Sequence, residues 1–387
     1  MRVNKFFSWE LRYFGDKNNN SCDKKHGFRE KALFLPLLLT ELMMKKLVLS
    51  LSLLACLVGF NACSTDVDLY ADYKDIPVIY GLIDASKDVN YVRINRAFSG
   101  SSENHVNATE VALIADSLNY PGKLDAKILE YRSTYGNAYT FTNRVIELDT
   151  MTIHDKDTGI FYAPDQKVYY TNELFRTNSG STKYKYKLMV CKDNDTITAE
   201  TGVVGGGDFR VLGDQVSFIA GSTKTGEISF TPGENATFYE VKMVFNYREE
   251  HNGNIVDKQV KWNLGSKSEE ELISENNSKV DIFSFSFIQG SLFSLLETAI
   301  GGDTINVRRY FDTEPMEVTV SAGGEELYNY IQINAQAGGL SQSIPDYTNI
   351  TGGYGVFSSR VMVTKLMKLS PRAQSDLYGK PWGFVQQ

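Results

Sequence analysis

From residue 77 onward, β-branched and aromatic positions alternate with polar ones in runs of five to nine residues, broken by clusters of Gly, Asn, Asp and Pro. A period of two between turn signals predicts half-buried strands. Such runs occupy 78–84, 91–98, 127–132, 139–148, 167–170, 184–190 and 196–204 in the first half of this stretch. In 184–190 the residues Tyr184, Tyr186, Leu188 and Val190 share one face, and the turn at 192–195 predicts a hairpin with the next run. The second half repeats the pattern at 227–230, 238–247, 258–264, 306–311, 317–321 and 355–366, with Asn252-Gly253 as a strong hairpin signal. Helical spacing interrupts it at 108–118, 285–300 and 325–335, where apolar residues recur three and four apart. The run Gly205-Gly206-Gly207-Asp208 weakens any regular element and marks a boundary. The predicted fold is therefore mainly β: two β-sandwich, immunoglobulin-like units with short helical insertions, spanning 77–205 and 206–387.

The N-terminal pattern is different. Lys45 and Lys46 precede an uncharged, largely apolar run, 47–60, which is followed by Asn61, Ala62 and Cys63 and then by polar Ser64, Thr65 and Asp66. A basic head, an apolar middle and a small residue form an export signal. Its 14 residues are too few for a membrane-crossing helix, which needs about 20. Ala62-Cys63 resembles the lipobox of bacterial lipoproteins, although Phe60 stands where Leu is usual. The resemblance implies that Cys63 is acylated and becomes the mature N-terminus. Residues 1–43 do not fit such a signal, so translation is expected to start at Met43 or Met44; 44–62 is then the signal peptide and 63–76 a tether. The mature chain, 63–387, carries 30 Lys plus Arg against 42 Asp plus Glu, a net charge of −12. That surface disfavours nucleic acid, and no basic cluster exceeds Arg308-Arg309.

Chemistry is sparse. Cys191 is the one cysteine left after Cys63, so no internal disulfide is expected. It is read as a partly or fully buried structural thiol. His154, Asp155 and Asp157 share a loop but lack the remaining oxygen ligands of a calcium site. His105 and His251 belong to no metal or nucleophile motif, and no nucleophile elbow, phosphate loop or dinucleotide fingerprint occurs. We assign no catalytic, cofactor-binding or metal residues, while a spatial pair of carboxylates stays open because such pairs leave no sequence spacing. Tyrosine is the suggestive residue: 21 remain after Cys63, mostly suited to strands. Tyr347 and Tyr354, in the loop 344–355, are the expected contact surface.

Four blocks carry a family resemblance: Val89-Asn90-Tyr91-Val92-Arg93-Ile94-Asn95-Arg96-Ala97-Phe98, Ala115-Asp116-Ser117-Leu118-Asn119-Tyr120, Lys156-Asp157-Thr158-Gly159-Ile160-Phe161-Tyr162 and Thr348-Asn349-Ile350-Thr351-Gly352-Gly353-Tyr354-Gly355-Val356-Phe357. They resemble Bacteroidetes-type outer-membrane lipoproteins, nearest to the domain of unknown function 4249 family. The resemblance implies an exported, lipid-anchored β-rich protein at the outer membrane, often beside a TonB-dependent receptor, with no established activity. Asp66 and Asp68 match only loosely the acidic surface-export signal of such lipoproteins, leaving surface and periplasmic faces both open. The O-glycan acceptor pattern of the same bacteria implies Ser117, Thr150, Thr196 and Thr304 as candidate sites. The expected role is a non-enzymatic binding or accessory component of a receptor or uptake system. Its alternatives are a fimbrial or adhesive subunit and a polysaccharide hydrolase.

Overall fold

A computed structural model describes residues 75–97, 108–154, 165–275, 281–301, 307–336 and 347–386. The signal region with Cys63, the segment 155–164 and the segment around Thr304 lie outside these residues. The described residues all belong to one unit, Asp68–Gln387. Among them no helix is long and apolar enough to cross a membrane.

The fold is mainly β. The first hairpin pairs β1 (Pro77–Ile83) with β2 (Asn90–Arg96), and the short helices α1 (Ala108–Ala112) and α2 (Ala115–Leu118) follow. Next come β3 (Asp125–Thr134), β4 (Thr140–Glu147), β5 (Asp149–Ile153), β6 (Gln166–Thr171), β7 (Thr182–Lys192) and β8 (Asp195–Gly202). Beyond the glycine run lie β9 (Gln215–Val216), β10 (Thr225–Phe230), β11 (Phe238–His251) and β12 (Asn254–Ser268). The chain continues through α3 (Glu269–Glu275), β13 (Phe283–Ile288), α4 (Ser291–Ile300), β14 (Val307–Tyr310) and β15 (Met316–Gly323). It ends with α5 (Glu325–Gln336), β16 (Tyr354–Leu369) and α6 (Pro371–Tyr378).

Local chemistry explains several of these boundaries. Asn252 and Gly253 take φ of 50° and 81°, the left-handed pair that a two-residue hairpin needs, and β11 and β12 pair directly around them. Ser268 starts α3 with a reciprocal cap: its hydroxyl accepts from the Glu271 N–H at 3.2 Å, while the Glu271 carboxylate accepts from the Ser268 N–H at 2.8 Å. We expect Ser268→Ala to cost about 1 kcal/mol in denaturant unfolding, since one donor at the helix start loses its acceptor. The helix expected over 285–300 is corrected at its start. Phe283, Phe285 and Phe287 alternate inward, so this part is strand β13 paired with β10, and only Ser291 onward coils. Three phenylalanines two apart bury one sheet face; on a helix they would point in different directions.

Three sheets form. A four-stranded sheet runs β4-β3-β7-β8, a two-stranded one joins β10 to β13, and a ten-stranded sheet has the main order β12-β11-β15-β16-β1-β2-β6-β5, with β14 on β11 and β9 on β16. Two hydrophobic cores sit against the large sheet. One gathers Ile79, Ile94, Ile128, Tyr186, Leu188 and Ile197 between its β1-β2-β6 part and the four-stranded sheet. The other gathers Phe230, Phe245, Phe285, Leu296, Val318 and Met367 from β10, β11, β13, α4, β15 and β16. The chain passes from the first core to the second between Val203 and Val204, just before the glycine run.

One strand belongs to both. The first part of β16 pairs in parallel with β1 and puts Phe357 into the first core. Its later part pairs antiparallel with β15 and puts Val361 and Met367 into the second. At the changeover lie two fully buried serines. The Ser359 hydroxyl donates to the Ile83 carbonyl at 3.1 Å and accepts from the Val204 N–H at 3.0 Å. The Ser358 hydroxyl donates to Glu326 at 3.0 Å and accepts from the Leu327 N–H at 3.2 Å, fastening α5 onto the sheet. Small hydroxyls suit this place because each both donates and accepts, Ser359 to two backbone groups and Ser358 to a carboxylate and a backbone N–H, without needing space in the packed sheet.

Candidate functional site

The block from Thr348 to Phe357 forms the parallel seam. The Asn349 side chain grips Phe357 from both sides, accepting from its N–H at 2.9 Å and donating to its carbonyl at 2.7 Å. Ile350 is buried in the first core, and Thr351 exchanges two backbone hydrogen bonds with Thr198 of β8, at 3.1 and 2.8 Å. Most of this block is therefore occupied in joining the sheets. Tyr354 is different: its ring is 45% exposed. It lines a cleft of about 590 Å³ together with Thr196, Asp195, Lys192, Asp75 and Pro77. The cleft's cation is already paired, since Lys192 Nζ lies 2.8 Å from Asp75, and that hydrogen bond raises the lysine above its ordinary range.

Two of the candidate residues, Thr196 and Tyr354, thus meet at one cleft, where Thr196 is exposed at the start of β8. Tyr347 is elsewhere, half-buried and hydrogen-bonded to Asn329 of α5; burial pushes its phenol upward. Thr150 lies half-buried on the edge strand β5, and Ser117, also half-buried, lies in α2, where its carbonyl accepts from Arg96. Cys191 is half-buried on β7, as its alternation with the buried Val190 requires. His154 is exposed and bonded to Asp165 at 2.8 Å, while the rest of its loop is outside the described residues. Among the described residues no group of three His, Cys, Asp or Glu could hold a metal ion.

Two further sites escaped the sequence reading. The first is Glu130, wholly buried on the inward face of β3. Arg176 and Thr142 reach its Oε1 at 2.9 and 3.0 Å, and Arg144 and the Tyr186 hydroxyl reach its Oε2 at 2.9 and 3.0 Å. Burial pushes the Tyr186 phenol far upward, so it stays a donor. With four donors in place, the carboxylate is a lock holding β3, β4, β7 and the Arg176 segment together. A charged residue at an inward-facing strand position was the available signal.

The second is a groove between α5 and the β1–β2 hairpin, with a volume of about 530 Å³. Leu82, Leu327 and Val356 supply its apolar surface, and Tyr80, Tyr91 and Tyr330 line it as well. The Tyr80 and Tyr330 rings meet edge to face, with centroids 5.9 Å apart, and the Tyr330 hydroxyl donates to that of Tyr80 at 3.4 Å. Tyr80 and Tyr91 are 38% and 45% exposed. Lys87, Arg360 and Asp84 bring charge to the same groove. No alternation or helical period joins β1, β2, β16 and α5, so this cluster arises only on folding. Scans against protein-family models and against curated proteins return no match for the chain.

Proposed function

We propose that this protein is a lipid-anchored component of the bacterial outer membrane, acylated at Cys63, whose β-rich body binds a ligand or partner without catalysing a reaction. The groove beside α5 carries the binding reading. It offers exposed aromatic rings on a rigid sheet and helix, the usual make-up of a recognition surface. The order Lys45-Lys46, apolar run, Ala62-Cys63 supports the anchor. A TonB-dependent receptor is the proposed neighbour, with the protein serving its uptake system. Thr196 and Thr150 are the better placed of the described O-glycan candidates, being at the exposed start of β8 and on the edge strand β5.

Radiolabelled palmitate should enter the wild-type protein and not Cys63→Ala, which should move to the soluble fraction. Label retained in Cys63→Ala would sink the anchor. Proteinase treatment of intact and lysed cells then separates the two membrane faces: cleavage on intact cells places the body outside, and protection until lysis places it in the periplasm. One observation favours a second reading, a fimbrial or adhesive subunit. β12 is 15 residues long and forms an edge of the large sheet, with Ile255 and Val256 exposed, so it could accept a donated strand. Ordered filaments in electron micrographs of native material would decide for it.

A further inference from the structure

We propose that the groove between α5 and the β1–β2 hairpin is a binding site for a neutral oligosaccharide. This inference rests on the binding reading above and gives it a ligand class. The volume lies within the range of about 300–1,000 Å³ typical of small-ligand sites. Its rings are held in place before any ligand arrives. Tyr80 projects from the outer face of β1, Tyr330 from α5, and their edge-to-face contact fixes both. α5 itself is fastened by the Ser358 hydroxyl. Exposed, preset tyrosines offer a flat apolar face with a polar edge, which matches a sugar ring.

The charges narrow the choice. Among the described residues neither Lys87 nor Arg360 has a carboxylate partner. Several other described lysines do have one, as Lys365 has Asp214 at 2.8 Å. Asp84 is 3% exposed. Its Oδ1 accepts from the Ser86 N–H at 3.0 Å and the Ser86 hydroxyl at 2.5 Å, but no protein donor reaches its Oδ2. A buried acceptor without a donor costs free energy that a ligand hydroxyl can recover. An apolar ligand would leave Asp84 and both cations without partners. A polyanion would face the carboxylate, and a polycation would face Lys87 and Arg360. Sugar hydroxyls both donate and accept, so one neutral ligand serves Asp84 and the two cations together.

Oδ2 has almost no accessible surface, so a donor reaches it only with a small shift of the turn that follows Asp84. That turn is held by Asn90, whose Oδ1 accepts from the Asp84 N–H at 2.7 Å. Ligand binding should therefore slow amide exchange in residues 86–90.

The test uses the full protein in detergent and calorimetry with neutral tetrasaccharides from β-glucan, α-glucan, xylan and mannan. Galacturonate and glucosamine tetramers and free phenylalanine serve as charged and zwitterionic comparisons. At least one neutral series should bind with Kd below about 1 mM. Tyr80→Ala and Asp84→Asn should each weaken it about tenfold, equivalent to about 1.4 kcal/mol. Asp84→Asn should leave Tm nearly unchanged, because the amide oxygen it introduces still accepts from the Ser86 N–H and hydroxyl, while Tyr80→Ala should lower Tm by no more than a few degrees through loss of the Tyr330 ring contact. No neutral series binding, or tighter binding of a comparison ligand, overturns the proposal. Binding that both variants leave intact also overturns it, while preserving the reading of a binding protein. The palmitate and proteinase results do not involve the groove and report on the anchor separately.

Discussion

Gly355→Ala is expected to lower the unfolding midpoint by on the order of 10 °C and to split a single transition into two. Gly355 has φ of 109°, where only glycine is comfortable, and a Cβ there would fall onto the Ile79 carbonyl oxygen of β1. The strained backbone costs about 1–3 kcal/mol, and the forced separation of β16 from β1 adds about 1–3 kcal/mol. The damage is placed where it matters for cooperativity. β16 is paired with β1 at the first core and with β15 at the second, so loosening the parallel seam separates the two cores' stabilities. Gly136→Ala is the comparison. Its φ is 73° but nothing lies within 4 Å of the added atom, so it should cost only about 1 kcal/mol and keep one transition. Calorimetry with a far-ultraviolet melt reads both. An unchanged midpoint for Gly355→Ala would refute the seam's importance.

Glu130→Ala should destabilise the first core by about 2–4 kcal/mol, because it takes the acceptor from the buried Tyr186 hydroxyl and from the half-buried Arg144 and Thr142 and leaves a cavity on the inner face of β3. Glu130→Gln keeps the shape and loses the charge, so a smaller loss of about 1.5–3 kcal/mol is expected. If the carboxylate acts only as a lock, a combined Glu130→Leu, Arg144→Met, Arg176→Met variant should recover part of the loss, since it removes both guanidinium groups but leaves the buried Tyr186 hydroxyl without its acceptor. Urea unfolding of the set measures this. Recovery of stability with loss of ligand binding would instead give the cluster a functional part.

The strands were legible where one face is buried and the other wet. In β7, Tyr186, Leu188 and Val190 are buried while Lys187, Met189 and Cys191 are only half-buried, as alternation predicts. The hairpins at 192–195 and 252–253 were legible because short turns need particular backbone angles and therefore particular residues. The 285–288 stretch was misread because a short apolar run next to a true helix fits both periods. α3 and α6 carried readable signals that the apolar pattern obscured: Ser268 with Glu271, and Ser370 before Pro371, where the serine hydroxyl accepts from the Ala373 N–H. Of the candidate contact residues, Tyr354 is exposed at a cleft, whereas Tyr347 is committed to α5.

The amino-acid pattern alone settled the class of the fold and the positions of the short hairpin turns, because each depends on neighbours within a few residues. The passage of one ten-stranded sheet through both cores was decided only in three dimensions, as were the buried Glu130 cluster and the groove of Tyr80, Tyr91 and Tyr330. These join residues more than a hundred positions apart in the seam and the groove, and dozens apart at Glu130. Strand pairing is made by backbone groups common to every residue, so side-chain periodicity cannot name the partner strand. Only the packed chain, with a glycine at 355 that lets β16 approach β1, selects it.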